Sequence, residues 1–379
     1  MTAPDSAAQP ELDALREQID AGDRELLRLL QRRIDLARQV GDVKRAQGLP
    51  IYVPEREAAL LEARRAEAAA LGISPDLAED VLRRCMRESY VQENGHSKGV
   101  RPGLRVVVVG GAGRLGRRFV QAFRESGYDV AVLERDDWDH AAKLVEHAGL
   151  VLISVPIHDT EAVIRQLPPL PQDCLLADLT SVKAAPLQAM LAQHPGPVVG
   201  LHPMFGPDVL TFAKEVTVFC RGRGTAEQVD WLLEQLRLWG LRLHAAQPEE
   251  HDRHMGLIQA MRHATAYAYG LNLSREQPDL GELLALSSPI YRLELMMVGR
   301  LFAQDAGLYY DIIQSQRQHL DLIRDYHATL ADVIELLEGE DRGGFTRRFQ
   351  EVREFFGPLG EQFLNESRVM LAQSKDRVG

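Results

Sequence analysis

Val106-Val107-Val108-Val109-Gly110-Gly111-Ala112-Gly113-Arg114-Leu115-Gly116 passes from an apolar run through a glycine-rich turn into a helical pattern. Gly111, Gly113 and Gly116 form G-x-G-x-x-G, the spacing that lets backbone N–H groups at a helix N-terminus hold a dinucleotide pyrophosphate. With Arg114 and Leu115 between them, these residues are the expected cofactor cradle. A dinucleotide domain opens at its first strand. The residues before Leu104 therefore require a module of their own.

Downstream of the turn, Val106–Val109, Asp129–Leu133, Leu150–Val155, Leu175–Leu179 and Val198–Leu201 read as buried strands separated by amphipathic segments. This alternation is the doubly wound α/β pattern. Val216–Cys220 and Leu241–Ala245 are expected as two edge strands around a helix over Ala226–Trp239. Glu134 ends the second strand, where a carboxylate accepts from a ribose 2′-hydroxyl and repels a 2′-phosphate. That favours NAD over NADP, with Arg135 beside it as the counter-argument. Ser154 and Pro156 follow the next strand and are expected to line the nicotinamide channel. After His251 the pattern turns helical, with pieces expected over Met255–Leu273, Leu280–Phe302, Leu308–Glu338 and Gly343–Ala372.

Upstream, Glu11–Gln47 lacks proline, and Leu12, Leu15, Ile19, Leu26, Leu30, Ala37, Val40 and Val43 recur at three- and four-residue steps. A helix of that length is roughly 50 Å long. Its apolar stripe exceeds what so small a module can cover, so a dimer held by these helices is expected. A second helix starts at Pro54 and stops at Leu71-Gly72; a third starts behind Ser74 as N-cap with Pro75 at its first position. The expected organisation is multidomain α and α/β. A helical module spans 1–95, a linker 96–103, a Rossmann-like NAD domain 104–246, and an all-α dimerisation and substrate domain 247–379.

The net charge of −11 argues against a nucleic-acid surface, which needs clustered positive charge. Cys85, Cys174 and Cys220 lack C-x-x-C spacing, so reduced thiols are expected. The acidic start has no signal-peptide pattern, and the best apolar run, Ala148–Ile157, is too short to span a bilayer. A cytoplasmic protein is expected. His251 and His254 have a spacing open to metal binding, but no third ligand matches, and no metal is assigned.

Asp178-Leu179-Thr180-Ser181-Val182-Lys183, Gly200-Leu201-His202-Pro203-Met204-Phe205-Gly206-Pro207 and Ser287-Ser288-Pro289-Ile290-Tyr291-Arg292 resemble prephenate dehydrogenase. Leu15-Arg16-Glu17-Gln18-Ile19-Asp20 and Val40-Gly41-Asp42-Val43-Lys44 resemble the helical chorismate mutase. In this order they resemble the bifunctional chorismate mutase/prephenate dehydrogenase family of tyrosine biosynthesis over residues 10–373. The resemblance implies rearrangement of chorismate to prephenate, then NAD-dependent oxidative decarboxylation to 4-hydroxyphenylpyruvate, CO2 and NADH.

For the first reaction the resemblance implies a cationic pocket of Arg33, Lys44 and Arg56, with Arg16 supplied by the partner's helix. Arg33 and Lys44 lie eleven residues apart and so share one helix face. Glu57 would accept from a substrate hydroxyl, Ser89 would approach a carboxylate, and Glu93 would face the ether oxygen. A carboxylate there helps only when protonated, so mutase activity is expected to favour lower pH. For the second reaction, His202 would partner the ring hydroxyl, with Ser181 orienting it or the nicotinamide and Lys183 close by. Arg300 would clamp the side-chain carboxylate and His263 would line the pocket. The resemblance also implies feedback inhibition by tyrosine. Two other readings remain at this point: a hydroxyacid dehydrogenase with a helical dimerisation arm, and a catalytic core with a regulatory first module. Trp231, Trp239 and Phe355-Phe356 are read as packing.

Overall fold

The structure, a computed structural model, describes residues 8–93, 97–316 and 319–375. It forms two compact units, one of residues 1–155 and 159–247, the other of 156–158 and 248–379. The expected linker begins in residues 94–96, which lie outside the described residues.

In the first unit, α1 (Ala8–Gln47), α2 (Pro54–Ala70) and α3 (Pro75–Glu93) make the helical module. Pro54 and Pro75 occupy first-turn positions, where their missing N–H has no helical partner to lose. The Ser74 hydroxyl accepts from the Leu77 N–H at 3.4 Å. Along α1, Leu12, Leu15, Ile19 and Leu26 stay exposed in the single chain.

The sheet domain follows as β1 (Arg105–Val109), α4 (Arg114–Glu125), β2 (Asp129–Leu133), a 3-10 turn and α5 (Ala141–Val145), β3 (Leu150–Ile153), α6 (Thr160–Gln166), β4 (Leu175–Asp178), α7 (Ala184–Gln193), β5 (Val198–Pro203), β6 (Val216–Arg223), α8 (Ala226–Leu238) and β7 (Arg242–Ala245). The seven strands lie in the order β2-β1-β3-β4-β5-β6-β7. All neighbours run parallel except β5 and β6. Alternate residues feed opposite faces: Val106, Val108, Leu150 and Leu152 pack towards one core, Val107, Val109, Val151 and Ile153 towards the other. Because β1, β3, β4 and β5 are mutually parallel, their carboxyl ends share one edge, with the order switching beside β1.

One expectation is corrected here. β6 is an internal strand, hydrogen-bonded to β5 and β7; β7 alone of that pair is at the edge. The described part of the linker is a packed element. Val100 donates its N–H at 2.8 Å to the buried Gln235 amide oxygen, which also accepts from the Tyr128 hydroxyl at 2.7 Å. A Cβ on Gly99 would stand 2.9 Å from the Tyr128 ring.

The second unit is helical: α9 (Pro248–Met255), a π-helical turn over Gly256–Met261, α10 (Arg262–Glu276), α11 (Leu280–Ala285), α12 (Pro289–Phe302), α13 (Ala306–Gln314), α14 (Leu320–Glu338), α15 (Arg342–Phe356) and α16 (Pro358–Lys375). The expected long pieces are subdivided. Ser288 caps α12, its hydroxyl accepting from the Tyr291 N–H at 3.3 Å, and Pro289 follows at the first helical position. Gly357 at φ 50° separates α15 from α16, ahead of Pro358. Phe355 is 85 % exposed, which corrects its reading as a packing residue within one chain. Trp231 and Trp239 are buried as read; the Trp239 indole donates to the Ser126 hydroxyl at 2.9 Å and its ring meets Phe123 edge-on. Among the described residues, no helix is long and apolar enough to cross a membrane.

Candidate functional site

The helical module gathers its charges where α1, α2 and α3 face each other. Arg33 donates to the Ser89 hydroxyl at 3.1 Å, and that hydroxyl donates to the Cys85 carbonyl one turn back at 2.9 Å. Lys44 donates to the Ile51 carbonyl at 2.6 Å and to Glu93 Oε2 at 3.3 Å. Ser89 and Glu93, four apart on α3, thus present one helical face to two cations of α1. Burial pushes the Glu93 carboxyl above its usual range, and the Lys44 ammonium opposes the shift. Gly41 permits this approach: a Cβ there would stand 2.9 Å from Glu93 Cγ.

Glu57 is buried and held on both oxygens. Oε2 accepts from the Tyr90 hydroxyl at 2.8 Å; Oε1 accepts from Lys214 Nζ at 2.5 Å and lies 3.5 Å from Arg83. The carboxylate drives the Tyr90 hydroxyl further up from its ordinary value, after burial as the larger cause. Tyr90, Arg83 and Lys214 were not read from the sequence. Arg83 and Tyr90 share a face of α3 at i, i+7, which was a usable signal; Lys214 is 157 residues from Glu57, and no local pattern joins them.

Arg16 is not brought to this cluster. It is exposed and paired with Asp13 at 3.0 Å. Seventeen residues of helix separate it from Arg33, about 25 Å along α1. Arg56 is exposed at the first turn of α2.

At the carboxyl edge of the sheet, the glycine turn is tight. A Cβ on Gly116 would collide with the Gly110 carbonyl and stand 2.9 Å from Gly111 Cα, while one on Gly110, at φ 77°, would collide with the Ser154 carbonyl. Gly113 precedes the first turn of α4 as its cap residue, and its N–H donates to the Gly110 carbonyl at 3.0 Å. Leu115 packs against the sheet core, and Arg114 pairs with Asp208 at 2.7 Å. Glu134 reaches back so that Oε1 accepts from the Ala112 N–H at 2.6 Å. Its carboxylate therefore borders the turn, where a ribose would lie. Ser154 follows β3, its N–H bonded to the Val109 carbonyl at 2.8 Å. Pro156 belongs to the second unit.

Beyond β4, the Ser181 hydroxyl is buried with no hydrogen-bond partner among the described residues. A buried unpaired hydroxyl is costly, and a water or a ligand's polar group would relieve it. With the glycine turn and Glu134, it makes this edge fit a dinucleotide. His202 is 3 % exposed. The strand expected to end at Leu201 runs on to Pro203, so His202 is the fifth residue of β5, in register with Val218 of β6.

Lys183 lies close by, just before α7. It is fully buried, and its ammonium donates to Asp178 Oδ2 at 2.5 Å and to the Leu201 carbonyl at 2.6 Å. It ties the end of β4 to β5 next to His202. Gly200 makes room for it, since a Cβ there would stand 3.2 Å from Lys183 Cδ. Asp178, which the sequence shows only as the head of its motif, has its carboxyl pushed up by burial and drawn back by Lys183.

In the second unit, His263 packs edge-on against Tyr309 at 4.9 Å between ring centroids. Burial, helped by Arg262, holds the imidazole below its usual range and so favours the neutral form. Arg300 lies in the last turn of α12 and is exposed. His251 Nδ1 is 2.8 Å from Asp252 Oδ1, both buried.

Three family models match the chain: chorismate mutase type II over residues 15–94, the prephenate dehydrogenase nucleotide-binding domain over 125–243, and the prephenate dehydrogenase dimerization domain over 247–351. The T-protein of Enterobacter agglomerans is 56% identical over 97% of this chain and 98% of its own length. The chain belongs to the T-protein family. The T-protein of Haemophilus influenzae is 50% identical over 96% of this chain and 97% of its own. The prephenate dehydrogenase of Aquifex aeolicus shares the fold, with a TM-score of 0.52 at 17% identity, over 65% of this chain and 97% of that one.

Membership of the T-protein family makes the chain a bifunctional enzyme, a chorismate mutase joined to a prephenate dehydrogenase. The helical module is thereby a mutase, which removes the readings of it as a bare dimerisation arm or a regulatory module.

Proposed function

We propose that the pocket of Arg33, Lys44, Glu57, Ser89 and Glu93 rearranges chorismate, and that the edge carrying Ser181 and His202 oxidises prephenate with NAD. The rearrangement is pericyclic and needs no nucleophile. Catalysis consists of holding a compact conformer and stabilising charge on the departing ether oxygen. Arg33 binds a carboxylate beside Ser89, Lys44 and protonated Glu93 donate to the ether oxygen, and Glu57 accepts from the substrate hydroxyl. Arg16 and Arg56 complete the cationic set; the distance of Arg16 along α1 supports its arrival from a second copy.

NAD, when bound, accepts the hydride from the ring carbon that bears the hydroxyl. Its pyrophosphate would lie over the turn at Gly111, Gly113 and Gly116, which lack Cβ atoms there, at the N-terminus of α4 with Arg114 and Leu115 in its first turn. Glu134 accepts from the ribose hydroxyls and disfavours a 2′-phosphate. Ser154 and Pro156 line the nicotinamide side. His202 accepts the hydroxyl proton as the ring expels CO2 and becomes aromatic; Ser181 orients it or the nicotinamide, and Lys183 fixes the strand end beneath it. Arg300 binds the side-chain carboxylate and His263 lines the pocket, roles that rest on the matched motifs. The observation carrying this reading is the buried, unpartnered Ser181 hydroxyl at the edge shared by the glycine turn and His202.

The proposed borders are 1–95 for the mutase, 104–246 for the NAD domain and 247–379 for the dimerisation domain. A cytoplasmic homodimer is part of the reading. Exposed Leu15 and Ile19 on α1, and Ile334, Phe349 and Phe355 in the second unit, supply apolar surface for it. Tyrosine, the pathway end product, is proposed as feedback inhibitor of the dehydrogenase. The test is to supply chorismate and NAD and follow NADH with 4-hydroxyphenylpyruvate. Both should appear together, and absence of NADH from chorismate and from prephenate alike would defeat the reading.

A further inference from the structure

Phe212, Ala213 and Lys214 are consecutive, yet each belongs to different surroundings. Phe212 is buried in the sheet core against Phe119 and Trp239. Ala213 is buried in the core of the helical module with Ile51, Leu61, Met86 and Tyr90. Lys214 places its ammonium 2.5 Å from Glu57 Oε1 and 5.4 Å from the ring centroids of both Tyr52 and Tyr90. The dehydrogenase half thus lends the mutase half a side chain. A backbone bond from the Ile51 N–H to the Leu238 carbonyl at 3.3 Å reinforces the same seam.

The backbone at Lys214 has φ 72°, the left-handed region, which glycine enters freely and a lysine only at a cost. Its N–H is spent on the Gly240 carbonyl at 2.9 Å, which fixes the turn. A strained non-glycine residue is kept when its side chain has work to do. Here the ammonium holds one oxygen of a buried carboxylate while the Tyr90 hydroxyl holds the other. Fixing both oxygens fixes the carboxylate plane and leaves a lone pair of Oε2 for a further donor. Arg83, at 3.5 Å and half exposed, is a weak substitute that would turn the group towards solvent.

We infer that Lys214, a residue of the dehydrogenase domain, is a positioning residue of the chorismate site, holding Glu57 in the orientation that receives the substrate hydroxyl. The inference rests on the assignment of Glu57 to that hydroxyl. It makes the mutase pocket a joint product of two domains of one chain.

The test uses the full chain with Lys214→Gly, which relieves the left-handed backbone, Lys214→Asn, which tolerates it, and Lys214→Arg, which keeps a cation. Loss of one charge-assisted bond to a carboxylate corresponds to about a tenfold fall in mutase kcat/KM for Gly and Asn, mostly as a raised KM. Arg should recover most of it, and prephenate oxidation should stay at its original rate in all three. In a Glu57→Gln background, Lys214→Gly should have little further effect, because the group it orients is gone. Unchanged mutase kinetics in Gly and Asn, with activity lost in Glu57→Gln, would overturn the inference and leave the Glu57 assignment intact. An additive loss in the double variant, or no rescue by Arg, would also overturn it and reduce Lys214 to a domain fastener. Full activity in Glu57→Gln would remove the assignment beneath it.

Discussion

At the carboxyl edge of the sheet, backbone atoms come close because Gly110 and Gly116 carry no Cβ; in the helical module, the close contacts are made by charged side chains reaching across three helices. The first arrangement is built by the backbone and lies in one short turn. The second is built by Arg33, Lys44, Glu57, Ser89 and Glu93, scattered over sixty positions and tied to Lys214 far beyond them. A backbone site tolerates no added atom at its glycines but many changes around them. A side-chain site tolerates packing changes but loses function with each charge. Substitutions should therefore separate the two activities cleanly, and at the seam the separation need not follow the domain in which a residue lies.

The largest expected separation is at His202. His202→Asn should lower prephenate oxidation on the order of 1,000-fold in kcat, the scale of a lost general base, with chorismate rearrangement at its original rate. Parallel steady-state assays check it, and an equal fall in both activities would show that the strand, not the imidazole, had been damaged. Next is Gly116→Ala, whose methyl collides with the Gly110 carbonyl. NAD affinity should weaken by about 100-fold, the size of an overpacking strain of a few kcal/mol, as read by titration of cofactor fluorescence. Mutase activity should again be spared.

Arg300→Gln should raise the KM for prephenate by about tenfold with kcat nearly kept, since a carboxylate contact present throughout the reaction is uniform binding. A fall confined to kcat would move Arg300 from binding to chemistry. The smallest effect is on a pH profile. Burial raises the Glu93 pKa, Lys44 from α1 opposes it, and the protonated form is the donor. Mutase activity should then decline as pH rises through that raised value. Glu93→Gln donates at every pH and should flatten this alkaline decline while changing the low-pH rate little. An unchanged profile would remove Glu93 from the proton account.

The contrast also explains what could be read in advance. Strands β1 to β5 and the turn at Gly111–Gly116 were legible because buried parallel strands are continuous apolar runs and the glycine spacing is a local steric demand. The internal place of β6 was not, since strand order depends on which neighbour a strand meets, not on its own residues. The break before α12 is written in Ser287-Ser288-Pro289, but the apolar periodicity continues on both sides of it and masks the stop. In the mutase pocket, Arg33 with Ser89 and Lys44 with Glu93 came from matched motifs, and the structure joins them. The motif places Lys183 near His202 but does not show its burial, which comes from Asp178 and the Leu201 carbonyl, the latter on another strand. Lys214 had no signal at all.

Helix α1 contains two interior glycines, and they are not equivalent targets for engineering. Replacing a helical glycine by alanine ordinarily stabilises by about 1 kcal/mol, which makes it a routine choice for thermostabilisation. At Gly22 nothing lies within 4 Å of the added methyl, and that gain should be realised. At Gly41 the same methyl stands 2.9 Å from Glu93 Cγ and must push the carboxyl off Lys44. At Gly41 the strain of that contact offsets the propensity gain, so a library screened for melting temperature should keep Gly22→Ala, while Gly41→Ala should show little gain and a slower mutase.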